Sequence, residues 1–309
     1  MPVLLFRSPS DSATQWTRAL RESMPELEVR VWPDIGDPAE IDYALIWAAP
    51  DRMLHDLPNL RVVFSLGAGV DHLLDDAAPA TIPIVRMVDP ALAEGMVEYV
   101  LYQVLRHHRG MHHYEARQRR SEWRAHGQTR PGDRTVGVLG VGELGGRCAR
   151  QLAELGFRVA GYSRHRRDIP GVASHAGEGE LPAFLARNEI LVCLLPLTAA
   201  TTDLLGAECF RQLPQGAVLI HVGRGAQLCE QDLLAALDSG QLDHAVLDVF
   251  REEPLSTDHP FWLHPRISVT PHVASLTNPI TGAERVVRGI HRDLAGEPLE
   301  QVVDRERGY

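Results

Sequence analysis

Short apolar runs of strand type alternate along this chain with stretches whose apolar residues recur at helical period. In the first third the runs are Val3 to Phe6, Val29 to Trp32, Tyr43 to Trp47, Arg61 to Leu66 and Ile82 to Val85. Ala13, Trp16 and Leu20 mark a helix that stops at the Met24-Pro25 break. From Pro90 to about His113 the pattern predicts one long helix with Leu92, Met96, Val100 and Leu105 on its apolar face. A loop from Arg117 to Asp133, broken by Gly127, Pro131 and Gly132, follows it. The second series of runs is Thr135 to Leu139, Phe157 to Tyr162, Ile190 to Leu194, Ala217 to His221, His244 to Asp248 and Ile267 to Val269. Helices are expected over Arg147 to Leu155, Glu230 to Ser239 and Pro279 to Leu294, with short turns elsewhere. Alternation of this kind predicts an α/β chain of parallel sheets with helices on their faces.

One stretch carries more than periodicity. In GVLGVGELGG, Gly137 to Gly146, a strand runs into Gly140, Gly142 and Gly145 at G-x-G-x-x-G spacing, and a helix follows. Gly140 permits the tight turn, Gly142 lets phosphate oxygens approach the main chain, and Gly145 lets the helix sit close to the strand. A bare glycine-rich turn is the bland alternative, but strand before and helix after are the context a dinucleotide site requires. The second half of that fingerprint lies after the next strand. A site selecting NAD places an Asp or Glu there to bind the ribose 2′-hydroxyl, whereas this chain has Ser163, Arg164, His165, Arg166 and Arg167. A hydroxyl and a guanidinium hydrogen-bond and neutralise a 2′-phosphate, so NADPH is expected over NADH, with NADH possible and weaker.

Length and composition narrow the class. A chain of 309 residues suits two domains, expected here as 1–98 with 279–309 for substrate and 99–278 for the dinucleotide. The second is read as a doubly wound Rossmann sheet and the first as a smaller flavodoxin-like layer, with the last helix crossing back to the first domain and a substrate cleft between the two. A formal charge of −10 argues against a general nucleic-acid binder. There is no lysine, which excludes Schiff-base chemistry through one. Cys148, Cys193, Cys209 and Cys229 form no C-x-x-C pair and read as reduced thiols, fitting a cytoplasmic protein. No leader-like or membrane-spanning run is visible, so no membrane partner is expected. His107, His108, His112 and His113 tempt a metal reading. Without nearby carboxylates as co-ligands they are expected to be a solvated or subunit-contacting surface, and no metal is assigned.

Three polar motifs close the reading, each at or just beyond an expected strand end, where open α/β sheets bind ligands. They are HVGRGAQL with Arg224, LDVFREEPL with Asp248 and Glu253, and SVTPHVAS with His272. Together with LGAGVDHLL at Leu66 and the closing VDRERGY, they make the chain resemble the D-isomer-specific 2-hydroxyacid dehydrogenase family over nearly its whole length, most closely the glyoxylate/hydroxypyruvate reductase branch. The resemblance implies a catalytic trio of Arg224, Glu253 and His272. It further implies cofactor contacts at Gly140, Gly142, Glu143, Leu144, Gly145, Ser163, Arg164, Leu195, Pro196, Val222, Gly223, Asp248 and Ser275, and a homodimer. Leu197 and Thr198 belong to the same cofactor-side loop. For the substrate it implies Trp47, Ala68, Gly69, Arg224 and His272, with Gly67 in the same turn and Trp262 as a further pocket wall.

Residue chemistry supports those roles. Arg224 offers a planar fork for a carboxylate and an adjacent keto oxygen. His272 is expected to protonate that oxygen, with Glu253, if hydrogen-bonded to the far ring nitrogen, favouring the imidazolium. The implied activity is NADPH-dependent reduction of glyoxylate and hydroxypyruvate. D-lactate or D-3-phosphoglycerate dehydrogenase, and a non-catalytic dinucleotide sensor, remain as alternatives.

Overall fold

The computed structural model describes residues 1–50, 52–74 and 77–308; Tyr309, last of the VDRERGY stretch, lies outside the described residues. Packing divides the chain into two units, Met1–Leu92 with Leu276–Tyr309, and Ala93–Ser275.

The first unit is built on a parallel sheet of Val3–Arg7 (β1), Glu28–Val31 (β2), Tyr43–Ile46 (β3), Val62–Ser65 (β4) and Ile84–Val85 (β5). Its strand order is β2-β1-β3-β4-β5, the flavodoxin-like doubly wound order. One layer of its core joins the sheet to two helices, Ala13–Ser23 (α1) and, from the far end of the chain, Pro279–Leu294 (α8). Both start where the sequence supplies caps: Ser12 accepts from Gln15 N–H, and Asn278 accepts from Ile280 N–H at 2.9 Å, with Pro279 beginning the helix. Trp16, Ala19 and Leu20 of α1 face Ala283, Val286, Val287 and Ile290 of α8 in that core. Gly282 permits the approach, since a Cβ there would lie 2.5 Å from the Trp16 ring.

The second unit carries seven parallel strands: Thr135–Leu139 (β6), Arg158–Ser163 (β7), Val172–Ala176 (β8), Ile190–Cys193 (β9), Ala217–His221 (β10), Leu242–Leu247 (β11) and Ile267–Val269 (β12). The order β12-β11-β10-β9-β6-β7-β8 runs outward on both sides from the β6–β9 pair, the arrangement of a doubly wound Rossmann sheet. Its central strands are buried throughout, which is why they read as continuous apolar runs. β8 was not legible: VASHA sits at the sheet edge, only partly buried, and has no apolar run to signal it. The short helices Leu181–Leu185 (α5) and Ala207–Gln212 (α6) were likewise hidden among expected turns.

One expectation needs correction. The helix from Pro90 (α2) stops at His108, and a separate helix, Met111–Gln118 (α3), follows. Gly110, with φ 61°, donates its N–H to the carbonyl of His107 and turns the chain out of the helix, as glycine after a helix end commonly does. Leu92, Met96 and Val100 are buried as expected, but Leu105 is exposed and Val104 takes its place on the apolar face. Nor are the histidines all solvated. His107 and His108 are buried, His107 against the rings of His112 and His244 and His108 edge-on to Phe157. Among the described residues no helix is long and apolar enough to cross a membrane.

Replacing Trp16 with Ala removes the largest side chain of the first core and is expected to cost that unit roughly 3–5 kcal/mol. Chemical denaturation followed by fluorescence would register it as a lower midpoint at unchanged slope.

Candidate active site

The turn after β6 behaves as its glycines require. Gly140 has φ +94°, and a Cβ there would lie 2.7 Å from the Leu194 backbone. A Cβ on Gly145 would meet the Gly140 carbonyl oxygen at 1.9 Å, so only hydrogen lets the helix Glu143–Glu154 (α4) lie against the strand. Gly142 is the opposite case. Among the described residues nothing stands within 4 Å of its missing Cβ, and no side chain caps the first N–H groups of α4. Open space before uncapped amides at a helix N-terminus fits a pyrophosphate. Glu143 is exposed and Leu144 half-buried at the start of that helix.

At the end of β7, Ser163 donates its hydroxyl to the His165 carbonyl at 2.6 Å, and Arg164 beside it is exposed. Arg166 is engaged elsewhere, with Glu180 and with the Ser174 carbonyl at 2.6 Å. Arg164 is thus the basic residue directly following the strand end.

The trio comes from three successive strand ends. Arg224 lies in the turn after β10, Glu253 in the loop after β11 and His272 after β12. His272 Nδ1 is 2.7 Å from Glu253 Oε2, while Glu253 Oε1 accepts the Phe250 N–H at 2.9 Å. Burial works against the Glu253 charge, but the hydrogen bond and charge of His272, the Phe250 amide and the nearby Arg224 outweigh it and hold this carboxyl below its ordinary range. His272 has φ 53°, in the left-handed region, and its N–H donates to the Asp248 carbonyl at 2.8 Å.

Asp248 is buried and accepts three bonds: Thr270 Oγ1 at 2.6 Å, Val273 N–H and Ala274 N–H at 2.9 Å each. Burial raises its pKa and those three bonds oppose the rise. Tyr99 of α2 extends the chain through a 2.6 Å contact with Thr270 Oγ1.

Sequence reading missed Gln227. Fully buried, it donates to the carbonyls of Leu195 at 3.1 Å and Pro196 at 2.9 Å and accepts the Arg224 N–H at 3.0 Å. It ties the loop after β9 to the arginine turn, while Gly225 presses that turn against Phe250, where a Cβ would meet backbone carbon at 1.8 Å. The signal for it was an amide three residues after Arg224 in an otherwise small and apolar stretch. Val222 is buried in this turn, and Gly223 lies under the Gln227 side chain. Ser275 is the last residue of the second unit, with its Oγ 3.6 Å from where a Cβ on Gly95 would stand.

In the first unit, Ala68 and Gly69 lie in a turn held by Ser65, whose Oγ accepts from Gly67 N–H and donates to the Gly69 carbonyl, both at 3.2 Å. Trp47 packs on His72 with ring centres 4.4 Å apart and leaves room for no side chain on Gly67. Trp262, in the second unit, is half exposed and gives its indole N–H to the Ser256 carbonyl at 2.7 Å.

Known proteins share this arrangement of elements. A family model described as the NAD-binding domain of D-isomer-specific 2-hydroxyacid dehydrogenases matches residues 101–274. A glyoxylate/hydroxypyruvate reductase A from Yersinia enterocolitica is 42% identical over 99% of each chain. The crystal structure of an NADPH-dependent glyoxylate/hydroxypyruvate reductase from Sinorhizobium meliloti with NADP and sulfate superposes with a TM-score of 0.94 at 39% identity, covering 100% of both chains. A D-isomer-specific 2-hydroxyacid dehydrogenase from Xanthobacter autotrophicus, in complex with NADPH and MES, gives 0.94 at 42% identity, covering 100% of this chain and 99% of that one.

His221 gives this region a pH dependence. It is fully buried at the end of β10, 2.9 Å from the Arg224 carbonyl, and burial pushes its pKa down to about 4. The unfolded chain therefore takes up the proton first, so the contribution is complete above about pH 6.5 and is lost as pH falls toward 4, by about 3 kcal/mol. H221Q keeps an N–H donor without the titration. Between pH 7 and 4 the urea stability of the variant relative to the parent should move in its favour by that amount; a constant difference contradicts it.

Proposed function

The chain belongs to the D-isomer-specific 2-hydroxyacid dehydrogenase family, and on that premise we propose that it is an NADPH-dependent reductase of small 2-oxo acids, taking glyoxylate to glycolate and hydroxypyruvate to D-glycerate. The observation that carries the reading is the 2.7 Å pairing of His272 Nδ1 with Glu253 in reach of the Arg224 charge. Reduction of a 2-oxo acid needs a cation to anchor the carboxylate and polarise the carbonyl, and a proton donor held in place, and these three side chains are of those kinds.

When bound, the coenzyme supplies the hydride. Arg224 holds the substrate carboxylate through its fork of donors and draws electron density toward the keto oxygen. With Nδ1 held by Glu253, His272 presents Nε2 to that oxygen and gives it a proton, and Glu253 stabilises the charged ring that delivers it. Gly140, Gly142, Glu143, Leu144 and Gly145 take the pyrophosphate, Ser163 and Arg164 the 2′-phosphate. Leu195, Pro196, Val222, Gly223, Asp248 and Ser275 are assigned to the rest of the dinucleotide, and Trp47, Ala68 and Gly69 to the substrate. The same reading includes a homodimer through the segment after Pro90 and a cytoplasmic setting in which the four thiols stay reduced, three of them buried.

Two measurements test this. Purified protein should oxidise NADPH with glyoxylate and hydroxypyruvate, and H272A should lower kcat by at least about 100-fold while NADPH binding persists; retained turnover in the variant would remove His272 as proton donor. R164A should weaken NADPH binding by about tenfold or more with little effect on NADH. Equal losses for both coenzymes would place 2′-phosphate recognition on other residues.

A further inference from the structure

The histidine corner at the start of α3 contains a second constellation. Gly110 turns the chain so that His112 and His113 fall in the first turn of α3, and β11 brings Asp243 to them from far along the sequence. The reading that these imidazoles lack a carboxylate partner is thereby corrected. His112 Nε2 lies 3.3 Å from Asp243 Oδ2 and His113 Nε2 4.0 Å from the same oxygen, with the two rings 3.9 Å apart. One ligating atom from each residue falls within 4.8 Å of the other two. Donors around a tetrahedral cation with bonds near 2.1 Å stand roughly 3.4 Å apart. The carboxylate oxygen, 3.3 and 4.0 Å from the two nitrogens, is already close to that spacing.

The surroundings close one side of this cluster and leave the other open. The His112 side chain is nine-tenths buried, and among the described residues its Nδ1 has no hydrogen-bond partner and Asp243 is the carboxylate that meets its Nε2. Behind it stand the buried rings of His107 and His244, with centres 4.6 and 5.2 Å away, and His244 is itself fixed by Ser268 at 3.0 Å. Arg106, a neighbouring cation, is neutralised by Glu115 through contacts of 2.6 and 3.3 Å. On the other side His113 and Asp243 are 51% and 38% exposed in the single chain, which leaves room beside them for a further ligand.

We propose that His112, His113 and Asp243 bind a divalent first-row transition cation of the zinc class. Two imidazole nitrogens with one carboxylate oxygen suit zinc, nickel or copper and not calcium or magnesium, which take oxygen donors. The role is structural. Asp243 is five residues before Asp248, on the order of 16 Å along a strand, so the ion cross-links α3 to the sheet at the end remote from the trio.

The test uses the full-length protein stripped by chelator and titrated with zinc sulfate against a chromophoric competitor. Wild type should take up one tight equivalent per chain, and H113A and D243N should each weaken it at least about tenfold. H291A, an exposed histidine outside the corner, should not. Zinc should raise the melting temperature of wild type but not of H113A, with glyoxylate reduction by the metal-free H113A protein unchanged. Absence of a stoichiometric equivalent, or wild-type affinity in H113A, overturns the proposal and leaves only non-specific uptake by a histidine-rich chain. Should D243N fail to fold, the half-exposed H113A carries the test.

Discussion

A carboxylate buried at the end of a strand must be hydrogen-bonded on both oxygens, and the way Asp248 meets that requirement fixes the loop that carries His272. Its side chain takes the amides of the two residues after the histidine and the hydroxyl of the residue two before it. Its own carbonyl takes the histidine N–H. Four bonds from one residue leave the chain between Thr270 and Ala274 little freedom, and His272 is held at a positive φ that a free loop would avoid. The ring then needs only one more restraint, which Glu253 supplies at Nδ1. The orientation of the His272 ring thus rests on a network centred on Asp248.

The arginine turn is built by the same logic with neutral groups. Gln227, fully buried, spends its carbonyl on the Arg224 amide and its amino group on two carbonyls of the neighbouring loop. Gly225 allows the turn to press on Phe250, and the Phe250 amide in turn holds Glu253. Arginine, glutamate and histidine are thereby placed through backbone groups of adjacent crossovers. Parallel strands ending side by side are what make such short links possible, since each crossover delivers its loop to the same edge.

The histidine corner shows where sequence periodicity misleads. Leu92 to Leu105 sustains a helical apolar pattern, and nothing in the period itself marks a stop before His113. Gly110 ends it because the following turn needs a left-handed residue. The break between α2 and the short α3 folds the imidazoles back on the sheet, where Asp243, more than a hundred positions on, meets them. A search for co-ligands near in sequence had no means to find it.

Periodicity, glycine spacing and residue chemistry determined the two α/β layers, the glycine turn after β6 and the identity of the three polar motifs. These are local properties, set by burial on a repeating backbone and by the few residues that tolerate a tight turn. The edge strand β8, the break at Gly110, the Gln227 tie and the Asp243 pairing were decided only by tertiary structure. Each depends on a polar or weakly apolar residue finding its partner across the fold, and the free energy of such a contact belongs to the pair, not to either segment alone.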